Sequence, residues 1–258
     1  MDLSLGGKTV LVTGGSKGIG FACARAFLAE GARVAITSRA QANLDKAAGA
    51  LPGVFAIAAD LVDADQALAM VAAVEQRLGP IDILVNSAGA AARTPPEQLN
   101  PARWRAAMDA KFFSYVNVID PVIKTMGARG KGVIVNIIGS GGKVAHTVHI
   151  AGGAANAALM LATAGLATAY AASGVRVVGL NPGLTETDRV AEGMRAEAAL
   201  NGISEAEALA RAVAKIPMGR MATAEEIADA TLYLASDRAS YITGVNISMD
   251  GASTPVVV

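Results

Sequence analysis

The chain has 258 residues, about half of them apolar, with 22 basic and 22 acidic residues, one cysteine and two histidines. That size and apolar content suit one large α/β domain over residues 1–258, and zero net charge without a Lys/Arg cluster argues against nucleic acid and anionic membrane as partners. A small molecule is the expected partner. The stretch Met1–Lys8 has no basic region leading into an apolar run, so no signal peptide is read. Cys23 falls between Ile19 and Phe27 on the apolar side of the first helix; it reads as core packing in a reducing, cytoplasmic compartment.

The first predicted strand, Thr9-Val10-Leu11-Val12, runs into Thr13-Gly14-Gly15-Ser16-Lys17-Gly18-Ile19-Gly20 and then a helix ending near Glu30-Gly31. Glycines at a strand-to-helix junction permit a tight turn and close backbone approach, and the free N–H groups of the helix start attract an anion. The spacing is one residue longer in its first gap than the Gly-x-Gly-x-x-Gly fingerprint. A β-branched second strand, Arg33–Thr37, ends in Ser38-Arg39 with no acidic residue to hold ribose hydroxyls. Arg39 and Lys17 together favour NADP(H) over NAD(H), the other reading being two solvated surface cations.

Val54–Ala59 reads as a third strand, Asp63–Leu78 as an amphipathic helix and Ile81–Val85 as a fourth strand. Continued strand–helix alternation implies right-handed crossovers and a parallel sheet covered on both faces. Ligands of such sheets lie beyond the carboxyl ends of the strands, which places Asp60, Leu61 and Asn86-Ser87-Ala88-Gly89 at the cofactor. Between His149 and Arg176 no charged residue occurs, a span long enough to cross a bilayer. Its Ala/Gly content, with Asn156, Thr163, Thr168 and Ser173, reads instead as a helix buried against the sheet and a neighbouring subunit.

At this point the chain resembles the short-chain dehydrogenases/reductases end to end. The resemblance rests on the glycine loop, Asp60, Asn86-Ser87-Ala88-Gly89, Asn181-Pro182-Gly183, Ile242-Thr243-Gly244 and Asp250-Gly251, standing in the family's order. It implies a Rossmann-type, doubly wound α/β fold with a seven-stranded parallel sheet and helices on both faces. It also implies a nicotinamide cofactor and a homodimer or homotetramer built on two long central helices. Gly14, Ser16, Lys17, Gly18, Ile19, Gly20, Arg39, Asp60, Leu61, Asn86, Ala88, Gly89, Asn156, Pro182, Gly183, Thr185 and Thr187 are the expected cofactor residues; no metal site is expected.

The family's chemistry is usually carried by Asn, Ser, Tyr and Lys, the last two spaced Tyr-x-x-x-Lys on one helix face. The lysine lowers the tyrosine pKa and the hydroxyl moves the proton that accompanies hydride transfer. Counting from Val133–Asn136, from Ser173–Val177 and from Trp104–Asp109 puts these positions at Lys111 (Asn), Gly139 (Ser), Gly152 (Tyr) and Asn156 (Lys), so all four are expected to be replaced. Tyr170 lies eighteen residues beyond Gly152, roughly 27 Å along a helix, and cannot stand in. Tyr115 shares a helix face with Lys111, and packing is its ordinary reading.

Both histidines, His146 and His149, fall before the altered helix, and His149 precedes Gly152 by about one turn. A relocated acid/base is therefore read at His149, with Lys111 as electrostatic partner and Ser140 as an added hydroxyl; plain loop histidines are the competing reading. From Arg189 to Ile216 runs an Ala/Glu/Arg-rich helical segment, where the resemblance implies a substrate lid over 185–216 with Met194, Ala198, Leu200 and Ile203 as a partly apolar wall; a plain surface helix pair is the other reading. Thr223 and Glu226 read as a capping box. Three functions stay open: an oxidoreductase on a carbonyl or alcohol with a non-standard proton donor, an NADP(H)-binding protein without catalysis, and a non-redox proton-transfer enzyme.

Overall fold

The computed structural model describes residues 2–89 and 91–256. Seven strands form one parallel sheet in the order β3-β2-β1-β4-β5-β6-β7, where β1 is Thr9–Thr13, β2 Arg33–Ser38, β3 Phe55–Ala58, β4 Ile83–Asn86, β5 Gly132–Ile137, β6 Val175–Pro182 and β7 Asn246–Met249. The order reverses between β1 and β4, and a crevice opens at the carboxyl ends of such neighbours. Register is set there by Val10 opposite Ile83 and Thr13 opposite Asn86. The expected strands are all present, with β3 and β4 shorter than the apolar runs that predicted them, because the flanking residues turn into loops.

Side chains alternate along each strand and so feed two cores. Val10, Val12, Val34, Ile36, Val85 and Val135 join Cys23 and Phe27 of α1 (Gly18–Ala29), Leu44 of α2 (Gln41–Ala50) and Ile227 of α9 (Ala224–Ala235) on one face. Leu11, Ala35, Leu84, Ile134 and Val177 pack on the other face against α3 (Ala64–Leu78), α5 (Ser114–Arg129) and α6 (Ile150–Tyr170). Burial on both sides explains the near-continuous apolar strands. Cys23 is fully buried, and desolvation pushes its thiol up to about 12, so it packs as a small apolar group.

Local signals act as expected. Asp63 caps α3 through Asp65 N at 2.9 Å and Gln66 N at 3.1 Å. Thr223 and Glu226 close a reciprocal capping box at α9. Thr147–Ser173, containing α6, is long and apolar enough to cross a membrane, but 44 % of its most apolar window is buried in the fold, where α6 packs along β6. The segment 189–216 is two helices, α7 (Arg189–Asn201) and α8 (Glu205–Ala214), closed on each other through Met194, Ala198 and Ala208. Between α4 (Pro101–Met108) and α5 lies a single π-helical turn, Asp109–Phe113, with Lys111 inside it.

Candidate active site

One cleft of about 940 Å³ runs across the carboxyl ends of the strands. The end nearest the glycine loop gathers residues of that loop and of the strand ends. Gly14, Ser16, Lys17, Gly18 and Ile19 line it, with Arg39 after β2, Asp60 and Leu61 after β3, Ala88 and Gly89 after β4, and Pro182, Gly183, Thr185 and Thr187 after β6. The glycines are sterically required. A Cβ on Gly14 would fall 2.8 Å from Ala88 Cα, at a positive φ of 66°. At Gly89 a Cβ would strike the Ala110 carbonyl oxygen and stand 2.9 Å from Ser114 Oγ. The π turn thus sits directly against the loop after β4. Lys17 holds the N-cap position of α1 with no side-chain capping bond, leaving the first helical N–H groups directed at the cleft.

Two expected cofactor residues do not reach this lining. Gly20 is buried in α1, where a Cβ would collide with the Gly14 carbonyl group; it permits the helix to approach the strand. Asn86 is fully buried and spends its amide inside the fold. Its Nδ2 donates to Asn136 Oδ1 at 3.0 Å, and its Oδ1 accepts from Thr13 Oγ1 at 3.3 Å. Asn136 Nδ2 donates on to Thr163 Oγ1 of α6, while Thr13 Oγ1 accepts from the N–H groups of Ser87 and Ala88. Asn86 therefore positions the loop through a buried network that clamps β1, β4, β5 and α6.

The other end of the cleft is built from side chains. Lys111, Gly139, Ser140, His149 and Asn156 all line it. Lys111 is buried, its Nζ 2.7 Å from Tyr115 Oη and 3.0 Å from the Ile137 carbonyl oxygen, which also accepts from Tyr115 at 2.6 Å. Desolvation first, then Arg189, lowers its pKa to about 7. Burial also drives the Tyr115 phenol well above its ordinary range, so Tyr115 is a fixed structural donor.

His149 ends a short 3-10 turn, Thr147–His149, just before α6. Its ring lies over Gly152: a Cβ there would be 2.6 Å from Nε2 and 2.7 Å from Nδ1, so the imidazole fills the space a side chain at 152 would need. The ring also touches the space above Gly141, and Asn156 Nδ2 lies 3.3 Å from a Cβ built on Gly139. His149 Nδ1 is buried with no hydrogen-bond partner among the described residues. Desolvation, then Arg93, His146, Arg189 and Lys111, lower the His149 pKa to about 4, leaving the imidazole neutral at physiological pH.

Met194 and Ile203 line the cleft as the apolar wall expected of them, whereas Ala198 faces the α7–α8 contact and Leu200 is exposed outside the lining. Arg93, Arg189, Glu192, Gly193 and Glu197 also line this end, none of which the sequence reading singled out. For Arg93 a signal existed: it lies in the loop leaving the carboxyl end of β4, where ligands of this architecture sit.

A family model described as enoyl-(acyl carrier protein) reductase matches residues 14–254. The chain belongs to the short-chain dehydrogenase/reductase family. The 3alpha-hydroxysteroid dehydrogenase of Mediterraneibacter gnavus is 33% identical over 98% of this chain and 99% of its own length. Galactitol 2-dehydrogenase (L-tagatose-forming) of Cereibacter sphaeroides is 36% identical over 97% of this chain and 96% of its own. Among solved structures, a variant of actinorhodin polyketide ketoreductase with NADPH superposes with a TM-score of 0.92 at 29% identity, over 95% of this chain and 97% of that one. These short-chain dehydrogenase/reductase relatives make NAD(P)-dependent oxidoreduction between CH–OH and C=O the chemistry of the family to which this fold and cleft belong.

Proposed function

We propose that this protein is an NADP(H)-preferring oxidoreductase acting on a carbonyl or alcohol, with His149 as the acid/base where the family usually has tyrosine. The observation that carries the reading is the His149 ring filling the space over Gly152 inside the same cleft as the glycine loop. In this reading positions 111, 139, 152 and 156 hold Lys, Gly, Gly and Asn in place of the usual Asn, Ser, Tyr and Lys, and residues 185–216 are the lid of a single 1–258 domain. The cradle fits a dinucleotide: Cβ-free backbone at Gly14 and Gly89, an unfilled helix start at Lys17, and no acidic residue at the end of β2. Lys17 and Arg39, both lining that end, would hold a 2′-phosphate. When bound, the cofactor supplies or accepts the hydride.

The neutral imidazole of His149 suits proton removal from an alcohol, and in the reverse direction the protonated ring returns that proton to the carbonyl oxygen. Lys111 adds positive charge beside the oxygen as it gains negative character, and Ser140 supplies a hydroxyl to orient it. The stripe Ala154, Ala157, Leu161 and Gly165 is exposed on α6, with Leu161 76% accessible, which supports a homodimer or homotetramer. A second reading, an NADP(H)-binding protein without redox turnover, is favoured by Gly152, which has no side chain, and Asn156, which cannot carry charge. A non-redox proton transfer by His149 would need neither residue.

The test is a fluorescence titration with NADPH and NADH, followed by turnover on a carbonyl and alcohol panel with wild type and His149→Ala. NADPH should bind more tightly than NADH. The variant should keep its cofactor affinity while kcat falls by about 10²–10⁴, the usual contribution of a positioned acid/base. Unchanged turnover would remove His149 from the chemistry, binding without turnover on any substrate would favour the binding protein, and no binding of either nucleotide would end the cofactor reading.

A further inference from the structure

The substrate end of the cleft carries a charge pattern that proton transfer at His149 does not use. Arg25, Arg129, Arg211 and Arg220 each pair with a carboxylate, and Arg33 and Arg176 donate to backbone carbonyls. Arg93 lines the cleft and makes neither a hydrogen bond nor an ion pair among the described residues. A guanidinium with its donors free in a cleft matches a carboxylate, which it can hold through two parallel N–H···O bonds.

Its placement is built. Gly193 of α7 is buried, and a Cβ there would lie 3.1 Å from Arg93 Nε and 3.3 Å from Nη2. A side chain at 193 would make the guanidinium give by a few tenths of an ångström, so the glycine lets Arg93 lie close against α7. Glu197 and Glu192 on the same helix act electrostatically on Arg93, as does Arg189. Toward His149 the balance is one-sided. After desolvation, Arg93, His146, Arg189 and Lys111 all lower the pKa of that imidazole, with no carboxylate among the described residues acting the other way. Among the described residues, the Arg189 side chain makes only a long bond of 3.4 Å to the Gly89 carbonyl oxygen. Arg211 and Lys215 line the cleft further out, the former committed to Glu207 at 2.6 Å. Arg93, Arg189 and Lys111 thus share this end of the cleft with His149, and Asp188, Glu192 and Glu197 line it as well.

We propose that the substrate is an oxo- or hydroxy-carboxylate whose carboxylate is held by Arg93 with Arg189, while its carbonyl or hydroxyl faces His149. This rests on the cleft being the catalytic one. Glycine at 193 then leaves room for the guanidinium at 93, whose donors make no hydrogen bond among the described residues and face the cleft for an anion.

The probes are 2-oxobutanoate, 3-oxobutanoate and 2-oxohexanoate, each with its methyl ester, titrated calorimetrically into the full chain with and without NADPH. At least one acid should bind roughly tenfold or more tightly than its ester, the gap expected when a charged partner is removed from a paired guanidinium. Arg93→Gln should erase that preference, Arg93→Lys should restore part of it, and both variants should keep wild-type NADPH affinity and melting temperature. Equal binding of acids and esters, no binding of any probe, or an acid preference that survives Arg93→Gln would each overturn the proposal. NADPH binding without acid preference sinks the carboxylate site alone, whereas acid preference without NADPH binding sinks the cofactor reading and leaves the site standing.

Discussion

The two ends of the cleft are made of different material. At the end nearest the glycine loop, backbone contact dictates residue identity at two points: side chains at Gly14 or Gly89 would strike Ala88 or Ala110. At the substrate end the walls are side chains from separate elements, namely Arg93 in a loop, Lys111 in a π turn, His149 in a 3-10 turn and Glu192 on α7. Losing a glycine at the first end costs the cradle. In the proposed reading, exchanging a side chain at the second would change the chemistry and leave the sheet and the cradle as they are. Function on a shared fold diverges where identity is sterically free.

The comparison breaks most directly at Gly14. Gly14→Val places a branched side chain against Ala88 at a positive φ, so NADPH affinity should fall by about 100-fold or more, which corresponds to roughly 2.8 kcal/mol of binding energy. Fluorescence titration beside a thermal melt separates lost binding from lost fold. Affinity within a few-fold of wild type in a folded variant would move the nucleotide elsewhere. A smaller effect is expected at Arg39, which contributes charge and no backbone constraint. Arg39→Glu should shift the NADPH-to-NADH affinity ratio by about tenfold toward NADH, roughly 1.4 kcal/mol, read by the same titration at fixed salt because exposed charges are screened. A ratio that does not move would make Arg39 an ordinary surface cation.

The same contrast explains what the sequence disclosed. Strand-to-helix glycines, β-branched runs and the Thr223/Glu226 box are local signals, and the sheet follows from their alternation. Backbone contacts at Gly14 and Gly18 were legible because glycine there has few substitutes. Asn86 shows the limit: its place in the chain suggested a ligand contact, but its partners Asn136 and Thr13 are 50 and 73 residues away, and only packing reveals that the amide is already used. Arg93 illustrates the converse. Nothing near it in sequence announces that Gly193, a hundred residues on, leaves room for its guanidinium. His149 was legible as being one turn from Gly152, while the filling of the Gly152 space is a statement about a rotamer and a loop.

Lys111 sharpens the comparison by setting stability against chemistry. Its folded pKa of about 7 lies below the ordinary 10.5, so between those values the unfolded chain binds more protons and burial of the amine costs stability, a cost that fades as pH rises toward 10.5. Lys111→Met removes the buried amine, and Tyr115 keeps its 2.6 Å bond to the Ile137 carbonyl oxygen. At pH 7.5 the variant should be more stable by on the order of 1 kcal/mol, a gain of about 2–4 °C in Tm, while kcat falls about tenfold. A destabilised variant with full activity would make the lysine a structural strut.

The finest probe is pH, because it acts on both ends while only one carries the depressed histidine. His149 titrates near 4 in the fold against an ordinary value of 6.5, so above about pH 6.5 it is neutral in both states and contributes no pH dependence. As pH falls from 6.5 toward 4 the unfolded chain takes up a proton that the folded imidazole refuses, and stability present at neutral pH is lost across that window. His146 is also lowered, first by desolvation and then by Arg93, so it adds to the slope and remains as an internal control. Replacing His149 with Asn, which is polar but does not titrate, should reduce the loss of denaturant midpoint between pH 7 and pH 5 without abolishing it. NADPH affinity, set by the backbone cradle, should change no more in the variant than in wild type over the same interval. If wild type and variant lose stability in parallel, the imidazole is not held neutral by its surroundings.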